Sequence, residues 1–257
     1  MALTALLMCL FVQRMLHFDS YSHHYHWFGY YYEWVKGRFS KSPAWSGLAG
    51  VGIVVLPALV VFILFAVFVF YAIGMIGYYI LTLVVLWYYL DARKLKNEVN
   101  QITVQKLLEQ ADQGIFPIIF WLLIFGVTGV VMYALFISLR HHLQQEAQGD
   151  IEKGLLRVSI KAQGVLDWIP LRLLGATYAL VGHFGPTFKV WYQNLFTGID
   201  HTREQAAECG LIALNLADQA TQPATEDQVA SIQSLINRAL LVWLVVIALF
   251  TIGMWLG

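Results

Sequence analysis

Charged residues are scarce in this sequence of 257 residues. Lysine and arginine together number 16, aspartate and glutamate also number 16, and charged residues make up only 12 % of the chain. Soluble domains average about 25 %, so these charges cannot shield a hydrophobic content of 59 % from water. We therefore expect a lipid bilayer as the main partner. The formal net charge of zero provides no basic field for nucleic acid, which we exclude as a partner.

Cysteine and recognisable cofactor motifs are scarce as well. Cys9 and Cys209 are the only cysteines and lie far apart, so neither a disulfide framework nor a cysteine metal site is predicted. The sequence has no P-loop, no GxGxxG and no HExxH. We interpret the histidine-rich run from Tyr21 to Trp27 as an interfacial aromatic belt, because few carboxylate or cysteine partners accompany it. No metal and no cofactor are therefore predicted.

The sequence contains several long apolar runs. A membrane-spanning helix needs about 20 apolar residues. Residues 48–90 contain no charge and are about twice that length, so we predict two spans with a turn near Tyr71 to Gly77. Met1 to Val12 has no basic residue before it and no small-residue cleavage site after it, which favours a retained membrane helix over a signal peptide. The predicted membrane segments are 1–18, 48–70, 73–90, 116–139, 165–183 (interfacial or partly inserted) and 239–256.

The run at 116–139 is broken by Gly126-Val127-Thr128-Gly129, and two paths are open. Either one helix crosses the membrane, or two half-helices fold back as a re-entrant hairpin. We favour the hairpin, because it keeps the next basic segment, Arg140 to Lys161, on the cytoplasmic side. That side is assigned from the basic residues that flank both ends of residues 48–90, by the positive-inside rule.

The chain is therefore predicted to be one all-α polytopic integral membrane domain over residues 1–257. We expect about four membrane-inserted segments, the re-entrant hairpin and amphipathic cytoplasmic helices. Residues 91–114 have apolar positions at helical spacing and predict a short surface helix, packed on the bilayer or on a neighbouring helix. Residues Trp34 to Ser46 predict a loop, and Glu226 begins the last helix.

Charges inside apolar stretches are the candidate functional residues, because they are costly at membrane depth. Asp167 and Arg172 flank Pro170. A helix that starts at the proline would make Asp167 its cap. In the same structural interpretation, the long side chain of Arg172 extends to the membrane interface. Arg14 and Asp91 lie at span ends, where an interfacial anchor is one interpretation of each. Arg14 could instead pair with a buried carboxylate or bind an anionic ligand. His183 is a candidate for proton transfer or a structural histidine.

Two segments contain family motifs. They are Leu166-Asp167-Trp168-Ile169-Pro170-Leu171-Arg172-Leu173 with Tyr178-Ala179-Leu180-Val181-Gly182-His183, and Phe116-Pro117-Ile118-Ile119-Phe120-Trp121 with Gly126, Gly129 and Tyr133. Together they resemble the AmpE family of bacterial inner-membrane proteins. Gln13-Arg14 stands where AmpE proteins usually have Glu-Arg. The wider family includes the cobalamin-biosynthesis protein CobD/CbiB, whose N-Y-I-P-A-R-L segment is similar to the residues around Pro170.

The resemblance implies a multi-pass protein of the bacterial inner membrane that modulates β-lactamase induction and responds to cell-wall stress. Its site would be a polar pocket at the cytoplasmic face, which holds a small anionic ligand or a segment of a membrane or cytoplasmic protein partner. The pocket residues would be Asp167, Arg172, Arg14 and Asp91.

Two alternatives accompany this reading. One is an ATP-dependent amide ligase of cobalamin biosynthesis, but the G-R-D-T and A-E-N-x-S-D-G motifs of that enzyme branch do not occur between Asp91 and Ile115. We therefore expect a regulator without catalysis rather than an enzyme. The other alternative is a scaffold subunit of a membrane complex, because the glycine patterns at 47–52 and 74–77 permit close helix association.

Overall fold

The computed structural model describes residues 26–39, 45, 47–89, 102–146 and 149–256. These residues form eight α-helices and two short 3-10 helices, and their only β-type pairing is a bridge between Thr103 and Pro223. Four of the helices are long and apolar enough to cross a membrane. The prediction of an all-α polytopic membrane protein is confirmed. The predicted segment 1–18 lies outside the described residues.

The helices fall into two compact units. The N-terminal unit contains residues 26–89 and 121–166, and the C-terminal unit contains residues 102–120 and 167–256. The helices are α1 (His26–Phe39), α2 (Leu48–Ile73), α3 (Met75–Tyr89), α4 (Val104–Glu146), α5 (Asp150–Val181), α6 (Phe184–Gln193), α7 (Thr202–Ala213) and α8 (Glu226–Leu256). With 15 residues, α3 is shorter than the four candidate spans.

In the N-terminal unit, α1 buries one face. Its buried side chains recur at helical spacing and are Phe28, Tyr32 and Val35. Lys36, one turn beyond Tyr32, forms an ion pair of 2.5 Å with Glu152 at the start of α5. These contacts hold the helix as far as Phe39, so the loop predicted from Trp34 to Ser46 is wrong for residues 34–39.

Two breaks in the helices of this unit share a Gly-x-x-Gly pattern. The turn predicted between Tyr71 and Gly77 lies at Gly74, where φ is +79°, and Gly126 inside α4 has a φ of +64°. Such positive φ values suit glycine and strain other residues. The break predicted at Gly126 to Gly129 is therefore present. The re-entrant path of this segment through the membrane stays a prediction.

The second glycine of each pattern permits a tight bend. A Cβ at Gly77 would lie 3.2 Å from the side chain eight residues earlier, and one at Gly129 would lie 2.9 Å from the carbonyl carbon of Trp121, also eight residues earlier. Residues eight apart in a straight helix are about 12 Å apart, so the chain bends sharply at both places. The Tyr78 hydroxyl lies 3.1 Å from the position of a Cβ at Gly126, which brings the two bends together.

The short surface helix predicted for residues 91–114 is not a separate element where the structure describes it. Helix α4 begins at Val104 and continues through Pro117 into the apolar run. Its first turns are buried, with Leu107, Leu108 and Asp112 at most 1 % exposed. The leucines at helical spacing therefore form a face that packs on other parts of the protein. Residues 220–224 cover this end, since the amide of Val104 donates to the carbonyl of Gln222 at 3.1 Å.

In the C-terminal unit, α6 and α7 pack on the last part of α5 in opposite directions. Helix α6 returns antiparallel, because the indole N–H of Trp191 donates to the carbonyl of Arg172 at 2.8 Å. Helix α7 runs parallel to α5, with Cys209 beside Gly175. Glycine and other small side chains along this contact allow the backbones to approach closely.

Helix α8 runs antiparallel to the same part of α5. The guanidinium of Arg238 donates to the carbonyl of Val181 at 2.9 Å, and five residues later the indole N–H of Trp243 donates to the hydroxyl of Thr177 at 3.1 Å. The apolar half of α8, residues 239–253, therefore lies along the apolar end of α5.

We expect Gly129→Ala to lower the free energy of unfolding by roughly 1–3 kcal/mol, because the new methyl group would overlap the carbonyl of Trp121. Gly52→Ala is the matched control, since Gly52 is also helical and a Cβ there would meet only Leu56 at 3.7 Å. Alanine at that position is expected to be neutral or stabilising. Thermal unfolding of both variants in detergent measures the difference. Equal melting temperatures would contradict the tight bend at Gly126.

Candidate functional site

Asp167 is fully buried in α5 and is paired with an arginine that the sequence analysis did not single out. Its Oδ2 accepts hydrogen bonds from Nη2 of Arg203 at 2.6 Å and from Nε at 2.8 Å. Gln113 of α4 completes the set: with its amide oriented to satisfy its neighbours, Oε1 accepts from Nη2 of Arg203 at 2.8 Å. We call these three residues the Asp167 cluster. A buried carboxylate requires such partners, because an uncompensated buried charge is costly.

The expectation that Pro170 starts a helix capped by Asp167 is wrong. Helix α5 runs without interruption from Asp150 to Val181 with Pro170 inside it. A proline in a helix leaves the carbonyl four residues earlier without its usual N–H partner. Here that carbonyl belongs to Leu166, and the indole N–H of Trp121 donates to it at 3.3 Å. This replacement bond explains how the helix continues through the proline.

Arg172 holds the C-terminal end of α6 and does not pair with Asp167. Its guanidinium donates to the carbonyl of Asn194, to the carbonyl of Thr197 at 3.0 Å and to the hydroxyl of Thr197 at 3.2 Å. Carbonyl groups at a helix end carry partial negative charge, which a guanidinium stabilises. The ring of Trp168 lies 5.7 Å from the guanidinium carbon. Asp167 and Arg172 thus belong to two separate hydrogen-bond sets on one helix.

The other predicted site residues are more scattered. Arg14 and Asp91 lie outside the described residues. His183 is exposed at the start of α6, and its Nε2 accepts from the amide nitrogen of Asn215 at 2.8 Å. The backbone N–H of His183 donates to the carbonyl of Ala213 at 3.3 Å. These bonds tie the turn between α5 and α6 to the end of α7.

A second buried carboxylate, Asp112, was also missed from the sequence. Asp112 is 1 % exposed in α4, and its Oδ1 accepts a hydrogen bond from the hydroxyl of fully buried Tyr178 in α5. Its Oδ2 has no hydrogen-bond partner within the described part of the chain. Ionisable groups inside membrane-spanning helices are functional candidates by default, so Asp112 joins Asp167 as a candidate.

Cys209 lies in α7 beside the Arg172 end of the site. Burial raises the pKa of its thiol to about 12, so the thiol stays protonated and weakly reactive at neutral pH. No group of three or more histidine, cysteine, aspartate or glutamate side chains suited to a metal occurs among the residues that the structure describes.

We expect Asp167→Asn to lower the free energy of unfolding by about 3 kcal/mol, because it leaves Arg203 largely buried without its counter-ion. Arg203→Leu should have a similar effect, since it removes the guanidinium that pairs with the fully buried carboxylate. The double variant should lose less than the sum of the two single losses, because both members of the ion pair are then removed together. Denaturant unfolding in mixed micelles measures the three values. Strictly additive losses would show that the two side chains do not interact.

Comparison with known proteins agrees with the motifs around this site. The family model described as "Regulatory signalling modulator protein AmpE" matches residues 114–256. The chain is 33 % identical to Protein AmpE of Shigella flexneri over 135 residues, which are 52 % of this chain and 46 % of that protein. It is 28 % identical to Cobalamin biosynthesis protein CobD of Chromobacterium violaceum over 102 residues, which are 39 % of this chain and 32 % of that protein.

The chain thus matches less than half the length of each of these relatives. No solved structure matches it. The family match covers more than half of the chain and includes Asp167, Arg172, His183 and Arg203. On this basis, the chain belongs to the AmpE family.

Proposed function

We propose that this protein is a regulatory signalling modulator of the bacterial inner membrane that acts in β-lactamase induction and the response to cell-wall stress. The observation that carries this proposal is the match of residues 114–256 to the AmpE family model, whose description names a regulatory signalling modulator. Helices that are long and apolar enough to cross a membrane support the location. The link to β-lactamase induction comes from the family resemblance.

The site geometry supports a switching role better than a catalytic one. Asp167 is held by Arg203, and Arg172 is held by backbone carbonyls. Both charges therefore fix the packing of α6 and α7 on α5. A signal that breaks one of these sets would release a helix, which is how a local change in charge becomes a conformational response.

A small anionic ligand is the input that this arrangement accepts most readily. The Arg203 side chain is 18 % exposed, whereas that of Asp167 is 0 % exposed. An anion that approaches from solvent would meet the guanidinium first and compete with the carboxylate for its N–H groups. A segment of a protein partner that carries a carboxylate could act in the same way.

We expect Arg172→Ala to abolish the induction response while the protein still inserts into the membrane. The substitution removes the guanidinium that holds the end of α6 but none of the apolar length of α5. The measurement is β-lactamase activity after addition of an inducing β-lactam, in a host that lacks its own copy of the gene.

Arg157→Ala is the matched control, because Arg157 is exposed on the same helix and undergoes the same chemical change. Its induction should equal that of the wild type, with equal protein in the membrane fraction for both variants. Normal induction by Arg172→Ala would reject the proposed role.

The second candidate function is a step in cobalamin biosynthesis. It rests on the 28 % identity to the protein named CobD over 102 residues. Because the acidic motifs of that enzyme branch do not occur between Asp91 and Ile115, we expect the gene not to restore growth of a cobalamin auxotroph that lacks its own CobD protein. The authentic CobD gene is the positive control. Restored growth would favour the enzyme over the regulator.

A further inference from the structure

Helix α6 exposes a row of aromatic side chains. Phe184, Phe188 and Tyr192 recur every four residues and are 54 %, 41 % and 65 % exposed, and Phe196 follows at 86 %. We call these four residues the aromatic ridge. Successive rings stack, with centroids 5.3 Å apart for the first pair and 6.4 Å apart for the second. A contiguous apolar surface of this kind marks an interaction site.

The opposite face of α6 fixes the ridge outward. Thr187 is completely buried, and Trp191 donates its indole N–H to the carbonyl of Arg172. The indole also fills the space above Gly175, where a Cβ would lie 2.9 Å from it. Arg172 holds the carbonyls that follow the helix. The ridge therefore cannot turn inward without loss of these contacts.

The position of α6 along α5 places the ridge beside two helices that are long and apolar enough to cross a membrane. Helix α6 lies along residues 172–181 of α5, and the same stretch contacts α8 through Trp243 and Arg238. Beyond Arg238, α8 is apolar, and both α5 and α8 are long and apolar enough to cross a membrane. On α5 itself, Ile169, Leu173 and Leu180 are exposed. The aromatic ridge thus continues an apolar surface that suits lipid.

The exposed side chains change from mostly aromatic on α6 to acidic on α7. Helix α7 packs on the same part of α5 but exposes Glu204 and Glu208. On α6 the exposed charge is Lys189, which is adjacent to Phe188 and has a side chain long enough to reach the headgroups. Phenylalanine and tyrosine beside a basic residue are favoured where acyl chains meet headgroups. The exposed surface of α6 therefore suits contact with lipid, and the exposed surface of α7 suits contact with water.

We propose that the aromatic ridge is a lipid-contact surface that seats α6 in one leaflet of the bilayer, beside α5. The occupant is the lipid of that leaflet, from the headgroup boundary inward to the acyl chains. A helix of 10 residues is about 15 Å long, so α6 is too short to cross the bilayer and extends along α5 into one leaflet. This inference is independent of the proposed regulatory function.

The test is a spin-label scan of the full chain in vesicles of phosphatidylethanolamine and phosphatidylglycerol. Cys9→Ala and Cys209→Ala remove the native thiols, and single cysteines then replace each ridge residue in turn. Collision rates with oxygen, which partitions into lipid, and with a water-soluble nickel chelate report the surroundings of each label. Labels at positions 204 and 208 on α7 are the matched controls. Labels at 192 and 196, the most exposed ridge positions, keep the test valid where a label at 184 or 188 prevents folding.

We expect the ratio of oxygen to nickel collision rates to be severalfold higher along the ridge than at positions 204 and 208. If the ratios along the ridge were as low as those at positions 204 and 208, the ridge would be in water and the proposal would be overturned. Low collision rates with both reagents along the ridge would also overturn it, because a protein partner or a second copy of the chain would then cover α6.

Discussion

A carboxylate buried in an apolar helix is the constraint that orders the C-terminal unit. Asp167 is fully buried and depends on Arg203 as its counter-ion. This requirement fixes the register of α7 on α5, because a shift by one residue would carry the guanidinium away from the carboxylate. In that register, Cys209 of α7 lies beside Gly175 of α5, and Ala213 lies beside Gly182. Arg172 then attaches α6 to the other side of the same helix, so two charges on α5 position both of its neighbours.

Much of the fold is readable from local patterns in the sequence. Uninterrupted apolar stretches identify the long helices, and Gly74 and Gly126 identify the breaks because only glycine tolerates the backbone conformation there. Proline was the misleading signal. Pro170 predicted a helix start, yet Trp121 supplies the missing hydrogen bond to the carbonyl of Leu166. A distant side chain decided the outcome, and no local pattern contains that information.

The candidate site was predictable only in part for the same reason. Asp167 and Arg172 are conspicuous because charges are rare in apolar stretches. Arg203 lies in a polar segment, where an arginine is ordinary, and nothing local indicates that it reaches a residue 36 positions earlier. Asp112 is separated by 66 positions from Tyr178. It lies in a stretch whose sequence predicts a surface helix, where an aspartate is ordinary. Long-range pairs between single residues leave no periodic trace.

The two glycine bends have a consequence for the lipid around the N-terminal unit. A bend that interrupts a helix in hydrocarbon needs polar partners for the peptide groups at the break, because acyl chains offer them none. The hydroxyl of Tyr78 beside Gly126 is one polar group already at that place. Where such a bend lies at membrane depth, lipid tails suit the straight stretches on either side of it but not the bend itself. The annulus of lipid is then expected to be incomplete there, with protein or water to fill the gap.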